Sequence, residues 1–498
     1  MKYINPVIRG FYPDPSVCAA NGYFYLVCSS FQYFPALPLF RSRDMIRWEQ
    51  IGHCITRKSQ LDLNGCRASG GIFAPTIRYN NGRFYVVVTN TDEDSNFYIY
   101  TDDIEGEWSD PVNVNRGGID PSLLFDGDKT YFMSNGEDDF GESGVSLCEI
   151  DIETGRILSP CKCICKGTGG RFIEAPHLYH IGDYYYLLVA EGGTEYGHTE
   201  CLFRSREPFG EYESCPHNPV LTNRGLGGYP IQGAGHADIV CDKSGQWWMV
   251  NLAFRQISRW RQFHHLGREV FLEPVYWQDD DWFKVGADGT SRIEFKVNDM
   301  TCTYSDAPEE YPGEKWKLDP KTACYIRCPN YDNYRIGEDG TIGLKGTGDK
   351  LNSNGNVTFI GDRQHEFDCT ARVNVCTENL KPSVKCGLTA YMDENNHFDL
   401  AVSKSDSGAV ISGVINIGGI PVKMNEITVS GKKAELMIKA EAQIYKLYGK
   451  DGEQWRQLAA MESKYLSSEV CEGFTGVIIG IFCEDDSENA DFVSFIME

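Results

Sequence analysis

The chain lacks long apolar runs. None approaches the roughly 18 residues of a membrane-spanning helix, and the opening MKYINPVIRGFYPDP holds no apolar core of the kind that marks a secretory leader. Both absences point to a cytoplasmic protein. Basic charge is also in deficit, with 47 Lys and Arg against 71 Asp and Glu and a net charge of −24. Such a surface is unfit to displace counterions from a phosphate backbone, which argues against nucleic acid as a partner and disfavours anionic membranes. The excess is no tail: residues 1–300 carry 40 acids and 27 bases, and residues 301–498 carry 31 and 20. Neutral or cationic ligands fit that surface. Helical periodicity is missing, since no segment sustains an apolar 3.6-residue repeat over three turns. Metal-ligand spacing is missing as well. The 19 cysteines are odd in number and scattered, and the one cluster, Cys161, Cys163 and Cys165, has no C-x-x-C or His pair to complete a zinc site. They read as reduced thiols along one face of a strand.

What is present is β-structure with a repeat. Short aromatic and β-branched runs such as Tyr23–Val27, Phe84–Val88 and Tyr184–Val189 each follow an Asn, Gly or Asp turn. Five similar hairpins begin at Tyr12, Phe73, Ile119, Glu174 and Gly235. Aligning Pro15, Pro75, Pro121, Pro176 and Ala237 spaces them by 60, 46, 55 and 61 residues. Five hairpins at this interval predict a five-bladed propeller of four-stranded blades, whereas a sandwich would space its strands more closely and without the repeat. The texture changes near residue 300. Strands such as Phe367–Val375, Cys386–Met392 and Val477–Phe482 then alternate without the repeat. The expected division is a propeller over 1–300 and a β-sandwich over 301–498.

In a propeller the innermost strand of each blade lines a central channel, so equivalent repeat starts converge at one mouth. Those starts carry Asp14, Phe73–Ala74, Asp120, Glu174 and His236. Asp-Pro alone is a common turn opener. The shared position in the repeat makes more of these aspartates than turn residues. Proline after Asp14 and Asp120 predicts an extended backbone at both. Glu174, flanked by Phe172 and Ile173, is a carboxylate out of place in a strand unless it has a task or a partner.

The segments YPDPS, GGIFAP, GGIDPS, FIEAPHLY, EGGTEYGH, NPVLTNR, AGHAD and LGRE, in this order, resemble glycoside hydrolase family 43. The likeness is greatest to its β-xylosidases and α-L-arabinofuranosidases that carry a C-terminal sandwich. It spans the whole chain, since NNHFDLAVSK and GFTGVIIG are similar to segments of the appended domain. The resemblance implies an all-β protein, a five-bladed β-propeller followed by a concanavalin-like β-sandwich that packs near the mouth. It implies Asp14 as general base, Glu174 as general acid and Asp120 as the group that tunes and orients the acid. It places Phe31, Phe34 and Phe73 in the pocket wall, with Phe73 standing where many relatives have Trp. Arg268 would reach sugar hydroxyls, Phe474 would be an aromatic inserted by the sandwich, and His236 would contact water or a channel calcium ion. The implied activity is inverting exo-hydrolysis of terminal β-1,4-linked xylose from short neutral oligosaccharides, with α-L-arabinofuranosidase action as the alternative. A catalytically inactive sugar-binding protein on the same scaffold is the reading from another class. No organic cofactor is called for, and a homo-oligomer is compatible with the likeness.

Overall fold

In the computed structural model, which describes residues 2–296, 318–337, 339–484 and 486–498, five antiparallel four-stranded sheets follow one another through the first part of the chain. Blade I comprises Ser16–Ala20, Tyr23–Val27, Ala36–Ser42 and Trp48–Ile55. The inner strands of blades II to V are Thr76–Asn80, Ile119–Asp126, Glu174–Ile181 and Ile231–Cys241. The first two blades owe their inner hairpins to Asn-Gly pairs. Asn21–Gly22 and Asn81–Gly82 all take positive φ, as a two-residue type I′ turn requires. The ring is closed by the chain start, where Lys2–Ile4 pairs with Glu294–Lys296.

The repeat starts adopt a conformation opposite to that expected from their prolines. Asp14 and Asp120 lie at φ +56° and +53°, in the left-handed region, and Ala175 and His236 join them at +53° and +51°. All four directly precede the aligned Pro or Ala. The ladder slips at the same places in blades III to V, between Ile119 and Ser122, Glu174 and His177, and Gly235 and Ala237. A bulge of this kind re-aims the side chain ahead of the regular strand. It overrides the local preference of a residue before proline, and the strain is held where side chains converge.

Below the mouth the channel is filled. Arg78 pairs with the buried Asp238 through Nη1 to Oδ2 at 2.7 Å and Nη2 to Oδ1 at 3.3 Å. Asp238 also accepts from Ser16 Oγ at 2.5 Å, Val17 N at 3.0 Å and Tyr179 OH at 2.5 Å. Arg78 Nη2 lies 2.9 Å from His177 Nδ1. Buried charge is tolerated here because every group is paired.

The second unit stacks a seven-stranded sheet on a six-stranded one, with Leu388, Leu400, Leu436, Ile438, Ile479 and Ile481 in the core between them. The expected strands are found at Cys369–Cys376, Lys385–Asp393 and Ile478–Glu484. The boundary expected at residue 300 lies outside the described residues. The units join through Phe34, paired in a short strand with Tyr325, and through Arg327. Arg327 is fully buried and donates to Cys66 O at 2.6 Å, to Gly355 O at 3.2 Å and to Glu394 Oε2 at 3.1 Å. At a second crossing Val477 N donates to His265 O at 2.9 Å. Gly476 is needed beside it, since a Cβ there would stand 2.4 Å from Leu266 O. Among the described residues the cysteines are free thiols, and the one α-helix is the turn Ser468–Cys471.

Candidate active site

Asp14 is held at the mouth from several directions. Arg268 Nη1 donates to its Oδ1 at 2.8 Å, Ser29 Oγ donates to its Oδ2, and His236 Nδ1 lies 3.6 Å from Oδ1. Burial alone would raise this carboxyl, but Arg268, His236 and Ser29 outweigh it and hold it below the usual aspartate range. The group is therefore a carboxylate at neutral pH.

Glu174 is the opposite case. Its carboxyl receives no hydrogen-bond donor in the described structure, and burial together with the charges of Asp120 and Asp14 pushes it up to about 8. Asp120 sits beside it and is also raised, by burial and by Asp14 against the pull of His236 and Arg268. Each raises the other, so the two carboxyls titrate as a pair. Asp120 Oδ2 accepts the Ala175 N–H at 3.0 Å, a bond that favours its ionised form and ties it to the residue following Glu174.

His198 completes this side. Its Nδ1 lies 3.0 Å from Gly233 O, an acceptor, so Nδ1 carries the hydrogen and Nε2 is left with a lone pair. Burial pushes the ring down to about 3, so it is neutral. Nε2 has no hydrogen-bond partner and stands 3.7 Å from Glu174 Oε1.

An aromatic wall surrounds Arg268. The rings of Phe31, Phe73 and Phe474 lie 5.1 to 5.9 Å apart by centroid. The Arg268 guanidinium is 5.8 Å from the Phe31 ring and 5.6 Å from that of Phe474. Phe474 arrives from the sandwich, pinned by its N–H to Ser69 Oγ at 2.8 Å and by its carbonyl, 3.3 Å from Arg268 Nη2. Thr194 Oγ1 accepts from Arg268 Nη1 at 2.9 Å. Arg268 Nε is buried with no hydrogen-bond partner among the described residues.

Of the residues predicted for the site, Asp14, Asp120, Glu174, His236, Arg268, Phe31, Phe73 and Phe474 meet here. Phe34 does not. It is buried in the core shared with Val27, Leu39 and Ile72, with Tyr331 against its ring. Next to the left-handed Phe31, the chain turns and sends Phe34 inward to the Tyr325 strand. His198 and Thr194 were overlooked although both lie in EGGTEYGH. Their positions follow a strand end rather than a repeat start. Among the described residues no group of three or more His, Cys, Asp and Glu is arranged to hold a metal ion.

A carboxylate at Asp14 and a carboxyl held neutral at Glu174, brought together where the blades of a five-bladed propeller converge, are the pair that a carboxyl-dependent glycoside hydrolase uses. Comparison with known proteins gives the family. Residues 3–283 match the model for glycosyl hydrolases family 43, and residues 322–498 match that of the β-xylosidase C-terminal concanavalin A-like domain. The chain belongs to glycosyl hydrolase family 43. It is 37% identical to a non-reducing end α-L-arabinofuranosidase of Bacteroides ovatus, over 97% of this chain and 92% of that protein. It is 31% identical to a β-xylosidase of Bacillus subtilis over 99% of each. Among solved structures, xylan β-1,4-xylosidase from Bacillus halodurans superposes with a TM-score of 0.91 at 29% identity, covering 100% of both chains.

Proposed function

We propose that this enzyme is an inverting exo-glycosidase that releases a terminal pentose, β-1,4-linked xylose first, from short neutral oligosaccharides. The observation that carries this reading is the opposed charge state of Asp14 and Glu174. Asp14, anionic beside Arg268, takes a proton from water as that water attacks the anomeric carbon. Glu174, kept protonated by burial and by Asp120, gives its proton to the departing glycosidic oxygen as the bond breaks. Asp120 keeps that proton on the acid until it is needed, and His198 offers Nε2 to orient it. Arg268 Nε and the Phe31, Phe73 and Phe474 wall receive the terminal sugar.

The reaction so written needs no organic cofactor. A channel calcium ion finds little to bind, because Asp238 is already engaged by Arg78, Ser16, Val17 and Tyr179. A reducing cytoplasm fits the free cysteines. The Bacteroides relative, named for α-L-arabinofuranose, favours a second reading in which that sugar fills the same pocket. Hydrolysis of 4-nitrophenyl β-xyloside against 4-nitrophenyl α-L-arabinofuranoside separates the two, and a clear preference for the arabinoside overturns the first. Asp14→Ala tests the class itself. If variant and wild type turn over both compounds equally slowly, the protein binds sugar without cleaving it.

A further inference from the structure

Two residues ahead of Glu174 stands Phe172, an aromatic side chain 59% exposed to solvent and absent from the wall around Arg268. Its backbone is left-handed, at φ +49°, a strained conformation for a bulky residue that persists only where the surroundings impose it. Here they do. The buried Glu191 carboxylate accepts from Thr168 N at 2.5 Å, Thr168 Oγ1 at 2.7 Å and Gly170 N at 3.0 Å. Arg171 O accepts from Gly192 N at 2.7 Å. The loop before Glu174 is thus clamped on the strand that ends in Glu191, which holds the backbone that carries Phe172.

The ring also lies against the loop that carries Thr194 to Arg268. A Cβ on Gly193 would stand 3.2 Å from Phe172 Cδ2, so a side chain there would crowd the ring. Gly193 adjoins Thr194, which touches Arg268 and through it Asp14. The Arg171 guanidinium lies over one face of the ring, 4.7 Å from its centroid, and brings hydrogen-bond donors beside it. The terminal sugar occupies the pocket at Arg268, Phe31 and Phe474. The oxygen protonated by Glu174 belongs to the next sugar, which must leave the pocket past Glu174. An exposed aromatic ring two residues ahead of the acid offers the C–H face of a pyranose an apolar partner, and Arg171 can meet its hydroxyls.

We propose that Phe172 is the platform on which the leaving-group sugar stacks, a specificity residue for chain substrates. The inference rests on Glu174 acting as the acid. It is tested by kinetics of Phe172→Ala and Phe172→Trp on xylobiose and on β-D-xylosyl fluoride, whose leaving group has no ring to stack. The expected result is a kcat/KM loss for Phe172→Ala about ten-fold larger on xylobiose than on the fluoride. The loss should lie mainly in KM, and Phe172→Trp should restore it. Equal losses on both substrates, or none on xylobiose, would overturn the proposal. A wild-type enzyme inert to both compounds would instead overturn the parent reading, and this one with it.

Discussion

Arg268 and Asp14 form a buried ion pair, Nη1 to Oδ1 at 2.8 Å, that links the sugar pocket to the group proposed to activate water. The two residues are 254 positions apart and come from opposite ends of the propeller sequence. Arg268 directly precedes the third strand of blade V, Glu269–Trp277, and Asp14 precedes the first strand of blade I. The chain start runs against that blade V strand, with Ile8 bridged to Val270 and Tyr12 N donating to Arg268 O at 3.0 Å, and this brings Asp14 beside Arg268.

Replacing Arg268 with Met removes the strongest influence that holds Asp14 down and one that opposes the rise of Glu174. Both limbs of the kcat/KM profile should therefore move to higher pH. The plateau should fall by about 10²-fold or more, since a buried charge-assisted contact is lost along with a donor to the sugar. A pH–rate series on an aryl glycoside checks this. A loss of rate with both limbs fixed would confine Arg268 to binding.

Asp120→Asn separates the acid from the base. Glu174 titrates near 8 because of burial first and Asp120 second. As the proposed acid it acts in its protonated form, so the wild-type rate should fall as pH rises through about 8. With the charge of Asp120 removed, Glu174 ionises earlier and the alkaline limb moves to lower pH, while the acid limb set by Asp14 stays. Asn can still accept the Ala175 N–H, so the loop should be preserved. The rate should drop about 10²- to 10⁴-fold, the usual worth of a well-tuned acid. An unmoved alkaline limb would show that another group titrates there.

Much of this arrangement was legible in the sequence because a repeat does part of the work of folding. Once five hairpins align on Pro15, Pro75, Pro121, Pro176 and Ala237, convergence of Asp14, Asp120 and His236 follows from topology. Glu174 was legible for a different reason. It stands one residue earlier than the aligned position, where Ala175 takes the left-handed turn, and it was its placement between apolar residues that exposed it. The backbone at Asp14 and Asp120 was misread, since a bulge is a property of two strands in register and cannot be seen in one. Phe34 was misread because Phe31 and Phe34 look alike in sequence, while the turn at Phe31 sends them to different cores. The channel network of Arg78, His177 and Asp238 went unread because its members sit beyond the repeat starts.

The sandwich should matter to catalysis as well as to stability. Arg327→Met leaves Glu394 without its partner and frees the carbonyls of Cys66 and Gly355 at the junction of the two units. The cost should be about 3 kcal/mol, read as a lower denaturation midpoint. Because Phe474 is delivered across the neighbouring crossing, KM for the terminal sugar should rise at temperatures where the variant is still folded. A variant with wild-type midpoint and KM would remove Arg327 from this role.

The role proposed for Asp14, a base that activates water, makes the reaction a single displacement, whereas a nucleophilic Asp14 would make it two. Proton NMR of the sugar first released from xylobiose tests that role most directly. The account predicts α-xylose as the first product, with the β-anomer growing in by mutarotation. Release of β-xylose first would mean a covalent intermediate, and would contradict the role given to Asp14.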